Sequence, residues 1–192
     1  MPEPIGTIIA SLGKGLVELL KVRAGFAEAD IALKSPVDAD QTGKISLFLY
    51  QVQESPSLRN QEPDTSRETE LRPPPLALDL HYLVTPMAAE PETALGHLEA
   101  VMLAFYDQPV LKPPLLATTL VEAGNEAVRI ISNPLSLEEM NRLWGIFPNK
   151  PYRLSVAYLV TPVKVPSARV IPIQRVVEKV IRVSRLEGRA HE

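Results

Sequence analysis

Residues 75–86 read PLALDLHYLVTP. Leu76, Leu78, Leu80, Tyr82 and Val84 alternate with Ala77, Asp79, His81 and Leu83, so the stretch predicts a long strand with one face in a core. Working outward, Ile45, Leu47 and Leu49 alternate with Phe48, Tyr50 and Val52. Both faces there are apolar, which predicts a strand covered on both sides. AVRIIS at 127–132 predicts a third, short strand, and YRLSVAYLVTPV at 152–163 a fourth, with Tyr152, Leu154, Val156, Tyr158 and Val160 on one face.

Helical spacings separate these strands. Ile5, Ile8, Ile9, Leu12, Leu16, Leu19 and Leu20 repeat at three and four residues, predicting an amphipathic helix that ends near Gly25. After Pro91, Leu95, Leu98, Val101, Met102 and Phe105 repeat the spacing. Ser136 with Glu139 forms a capping box that opens a third helix carrying Leu137, Met140, Leu143, Trp144 and Phe147, which Pro148 stops. The order predicts an α/β fold of the α+β type: a mixed, mostly antiparallel sheet of four or more strands flanked by three helices.

Two segments fall outside this periodicity. Residues 54–75 are rich in Pro, Ser and charge and predict a long exposed loop, in which the isolated Leu58 is a candidate anchor beside Arg59 and Asn60. Beyond Val163 the tail carries Pro166 and Pro172, which keep it out of a central strand, yet its valines and isoleucines are too apolar for a solvated linker. The expected organisation is a domain over 1–163 and a protruding arm over 164–192 that packs on something. Charge divides the same way: residues 1–163 hold 13 Lys+Arg against 20 Asp+Glu, whereas 164–192 hold 7 against 3. A basic arm seeks an acidic surface, and β-branched residues between the cations favour protein over nucleic acid.

At 192 residues, 45% hydrophobic and 22% charged, the chain has the composition of a folded globular protein. It has no cysteine, hence no disulfide framework and no thiol nucleophile, which fits synthesis in the cytoplasm. No apolar run is long enough for a bilayer, and Lys14, Glu18, Lys21 and Arg23 interrupt the N-terminal apolar stretch, unlike a secretory signal. Chemistry is sparse. His191 lies at the end of the chain, His97 at the margin of an apolar helix face, and Asp79 and His81 share a strand face without a third ligand. Gly13, Lys14 and Gly15 lie inside a helical period and lack the strand and spacing of a phosphate loop. No catalytic, metal or cofactor site is expected.

Four stretches, in order, carry a resemblance to a known family: ISLFLYQVQESPSLRN (45–60), LRPPPLALDLHYLVTP (71–86), LGHLEAVMLAFYDQPVL (95–111) and RIISNPLSLEEMNRLWGIFPNKPYRLSVAYLVTPV (129–163). The chain resembles the N-terminal domain of the cap, or tube-terminating, protein of extracellular contractile injection systems. The resemblance implies a tail-terminator-like fold and a structural, non-enzymatic subunit of a ring, expected to be hexameric, that ends the growth of inner tube and sheath. Its expected partners are its own copies and the tube and sheath proteins, within a particle released from the cell. Larger members add a C-terminal domain where this sequence has its basic tail. Partner-binding candidates are Leu58, Arg59 and Asn60 in the loop, and Arg169, Val170, Ile171, Ile173, Arg175, Val177, Arg182 and Arg185 in the arm. Competing readings are a small-molecule-binding or hydrolytic domain using Asp79 and His81, and a neck or sheath adaptor of a related tail.

Overall fold

The strand over 76–86 is central because both of its neighbours cover it along most of its length. The computed structural model describes residues 7–39, 43–58, 70–71, 73–147, 151–169 and 171–172. In chain order the elements are α1 (Thr7–Ala24), β1 (Ile31–Ala32), β2 (Ile45–Glu54), β3 (Glu70–Leu71), β4 (Leu76–Pro86), α2 (Pro91–Asp107), β5 (Val110–Leu111), α3 (Thr118–Glu122), β6 (Val128–Ser132), α4 (Leu137–Trp144), β7 (Val156–Val165) and β8 (Ile171–Pro172). They fall into two compact units, residues 1–61 with 75–166, and residues 62–74 with 167–192.

In the larger unit the sheet runs β1-β2-β4-β7-β6-β5. Only β1 and β2 are parallel; all other neighbours are antiparallel. The mixed, mostly antiparallel sheet read from the sequence is therefore present, with the two-residue strands β1 and β5 added at its edges. Leu78, Leu80, Tyr82 and Val84 of β4 face a large core, as the alternation predicts. There they meet Leu12, Leu16, Leu19 and Leu20 of α1, Leu98, Val101 and Phe105 of α2, and Leu120 of α3. The opposite face is covered over a smaller area, where Leu83 packs with Met140, Trp144 and Phe147 near α4, and with Phe48 and Tyr50 of β2. β2 is thus covered on both sides only in its first half; from Gln51 to Glu54 it is exposed.

Local chemistry explains the helix ends and close approaches. Gly25, at φ 71°, follows the last residue of α1 in the left-handed conformation that ends helices. Gly15 lets α1 approach the loop before α3: a Cβ there would lie 3.1 Å from the Leu115 carbonyl oxygen. The Gly13–Lys14–Gly15 run is therefore a packing device. At α4 the Glu139 N–H donates to Ser136 Oγ at 3.2 Å and the Ser136 N–H donates to Glu139 Oε2 at 2.8 Å, the reciprocal cap the sequence predicts. Hydrogen bonds from Ser136 hold the Glu139 carboxyl below its ordinary pKa.

Three expectations are corrected. Tyr152 and Leu154 lie before β7 and are exposed, because pairing with β4 begins only at Val156. The same strand runs on to Val165, so Lys164 and Val165 pair with Ala77 and Leu76. Asn125 secures that end: its buried amide donates to the Lys164 carbonyl at 2.9 Å and accepts from the Lys164 N–H at 2.7 Å. Leu137, placed by spacing with the buried side of α4, is instead exposed, and so are Leu95 and Met102 of α2.

The smaller unit contains one described pairing. β3 and β8 are antiparallel, with Glu70 opposite Pro172 and Leu71 opposite Ile171. The end of the long loop and the start of the basic tail therefore share one two-stranded ladder.

Candidate functional site

The largest departure from ordinary burial lies on α2. A helix covered on one side needs about one apolar stripe, but residues 101–106 read VMLAFY, apolar in six consecutive positions. Val101, Ala104 and Phe105 turn inward, while Leu103 and Tyr106 cannot follow them. Tyr106 is 82% exposed and Leu103 57%, with Leu95 at 54% beside them. Single exposed apolar residues are common, whereas a contiguous group marks an interaction surface.

This group walls a groove of about 840 Å³ between α2 and the sheet edge. Leu98, Phe105, Ile130 and Tyr158 line its inner side, and Leu95, Met102, Leu103 and Tyr106 its outer side. Phe105 meets Tyr158 edge to face at 4.8 Å, which fixes both rings there, and burial pushes the Tyr158 phenol pKa up. Glu99 and Ser132 supply polar groups at the rim. Along α2 the charges are Glu92, Glu99 and Asp107, with no Lys or Arg.

The sheet edge at the groove is incomplete. β5 pairs only with Val128 and Arg129, and the Ile130 N–H donates to the Pro109 carbonyl at 2.7 Å. The Asn133 N–H points the other way, to the Ala157 carbonyl across β7, so by alternation Ser132 directs its main-chain groups outward. Among the described residues no strand pairs with this edge of β6 beyond Ile130.

Asp79 and His81 do not converge on a common ligand. The β4–β7 register shifts between Leu78 and Leu80, and there the Thr161 hydroxyl donates to the Asp79 carboxylate. Asn133 Nδ2 donates to His81 Nδ1 at 3.3 Å, and the His81 ring lies 5.9 Å from that of Tyr50. Among the described residues no three His, Cys, Asp or Glu side chains gather to hold a metal ion. His97 meets Phe26 edge to face at 5.7 Å, and burial lowers its pKa, as expected of a residue at a core margin. Among the described residues no helix is long and apolar enough to cross a membrane.

Of the residues singled out from sequence, Leu58 is half-buried in a short 3-10 turn, its N–H donating to the Ser55 carbonyl at 3.3 Å. Arg169 is exposed, and Ile171 pairs with Leu71. Arg59, Asn60, Val170, Ile173, Arg175, Val177, Arg182 and Arg185 lie outside the described residues. The groove was missed because helical spacing assigned Leu95 and Met102 to the core. The unbroken run at 101–106 was the available signal.

Two solved structures share this fold. The sheath/tube terminator of the PVC extracellular contractile injection system, in its extended state, matches with a TM-score of 0.64 and 22% identity, over 93% of this chain and 65% of that one. The tube-terminating cap of the anti-feeding prophage matches with a TM-score of 0.62 and 18% identity, over 90% of this chain and 60% of that one. The chain thus spans less than two thirds of the length of either protein. No curated protein matches it. The model of the Pvc16 N-terminal domain matches residues 9–179, which takes in every strand and helix described above except the first two residues of α1. The chain belongs to the Pvc16 N-terminal domain family.

Proposed function

We propose that this chain is a terminator subunit of a contractile injection particle, one that forms a ring on the last layer of inner tube and sheath and stops their growth. The observation that carries the reading is the family match over residues 9–179 together with a terminator fold across nearly the whole chain. The role is structural and non-enzymatic, in keeping with the Asp79 carboxylate and His81 Nδ1 being engaged by different residues, Thr161 and Asn133. Copies of this chain form a six-membered ring, made in the cytoplasm and carried out of the cell on the particle.

Physical features support a stopping role. A polymer that grows by adding segments to sheet edges ends where the last subunit offers an edge or arm that no further subunit can use. The sequence placed the arm at residues 165–186, but Val165 is held in β7 and Ile171–Pro172 pairs with β3. The part that in this reading leaves the body to complete a sheet on a neighbouring cap or sheath subunit therefore begins after Pro172, with Arg175, Arg182 and Arg185 setting the orientation and Arg169 at its base. Leu58, Arg59 and Asn60 contact the tube.

Particle length tests the proposal. Tube and sheath proteins assembled with this chain should give a narrow length distribution, and assembly without it a broad one. Leu58→Asp should restore the broad distribution while the purified variant keeps its thermal transition. Equal length distributions with and without the chain would remove the proposal.

A further inference from the structure

A closed ring needs two different, complementary surfaces on each subunit, since a patch that binds its own copy gives a two-fold pair. One such surface is the groove between α2 and β6, apolar within and edged by Glu99. The other is found in the sequence itself. Residues 173–186, IQRVVEKVIRVSRL, combine valine and isoleucine with Arg175, Lys179, Arg182 and Arg185 against the single acid Glu178. α2 offers the opposite charge, with Glu92, Glu99 and Asp107 and no cation.

We propose that the α2–β6 groove of one subunit receives residues 173–186 of the adjacent copy. The inference rests on the ring reading and names the surface that closes the ring. Apolar side chains of the segment fill the groove over Leu98, Ile130 and Tyr158, under the outer wall of Met102, Leu103 and Tyr106. Its cations face the α2 carboxylates, where complementary charge selects the partner and its direction. At the rim, the outward main chain of Ser132 offers hydrogen bonds that need no particular side chain. The segment follows Pro172 directly, and at ~3.3 Å each its fourteen residues span roughly 45 Å when extended.

The absence of cysteine makes the test clean. One preparation carries Met102→Cys alone and a second carries Val180→Cys alone; the two are mixed, assembled and mildly oxidised. The expected product is a disulfide-linked species of twice the chain mass, with a control pair of Met102→Cys and Glu126→Cys giving little. Adding Tyr106→Glu to the first chain should lower the yield on the order of tenfold, the usual effect of losing an aromatic anchor. Because Tyr106 is 82% exposed, that change spares the fold.

Other outcomes overturn the inference in distinguishable ways. A ring of normal mass by light scattering, without the cross-link, removes the groove contact and leaves the ring reading standing. A chain carrying both cysteines that closes only on itself shows the segment to be bound in its own subunit. Absence of both ring and cross-link removes the two together.

Discussion

A chain ended at Pro166 should unfold cooperatively within a few degrees of the full chain, yet fail to form rings. The larger unit keeps everything its stability depends on: both apolar clusters lie before that residue, and β7 is complete at Val165. The Asn125 amide still holds both main-chain groups of Lys164. The ladder between β3 and β8 is lost, together with six of the seven cations that follow Val163. If the segment beyond Pro172 carries the contact between subunits, its removal should weaken association on the order of a hundredfold or more, about 3 kcal/mol. Light scattering across a dilution series measures the association, and circular dichroism on heating measures the fold. Rings that persist at the dilution of the full chain would show that the arm is not the connector.

The largest effect on stability is expected from Leu80→Ala. Leu80 is fully buried in the middle of β4, within the cluster that joins α1, α2 and α3 to the sheet. Neighbours from three helices and two flanking strands restrict collapse into the space left behind. Such a truncation costs about 2–5 kcal/mol, and in a domain of this size each kcal/mol shifts Tm by roughly 2–4 °C. A fall of about 10 °C is therefore expected by calorimetry. Leu95→Ala removes the same atoms from the groove wall, where the side chain is already in water, and should leave Tm nearly unchanged. If the two variants fell equally, the division of α2 into a buried and an offered side would be wrong.

That division also marks the limit of what the sequence makes legible. Alternation on β4 identified the core face, because a strand has only two faces and the polar Asp79 and His81 disclose the other. Ser136 and Glu139 identified the start of α4 because capping is a local bond between near neighbours. Where a partner rather than a local bond decides, the pattern was insufficient. Tyr152 and Leu154 continue the alternation of β7, but among the described residues no strand pairs with them, so they stay outside the sheet. β1 and β5 are two residues long and show no period at all.

The candidate site follows the same logic. Leu95 and Met102 have the spacing of buried residues, yet both are exposed, and among the described residues no element covers that side of α2. Spacing shows which side chains share a helix face, but it does not show how wide a face the rest of the domain can cover. The link between loop and arm, Leu71 with Ile171, joins residues a hundred positions apart and has no local signature. The Asp79 hydrogen bond from Thr161 is equally non-local, and it turns a candidate ligand into a structural fastening of the β4–β7 irregularity.

The central claim is that the chain ends a growing tube and sheath as a ring. Electron microscopy of tube and sheath particles purified with this chain, labelled on an exposed residue such as Glu126, tests it directly. Density for a six-fold ring bearing the label, at one end only and on the outermost layer of both polymers, is the result expected. Label distributed along the particle, or bare ends on particles of uniform length, would contradict it.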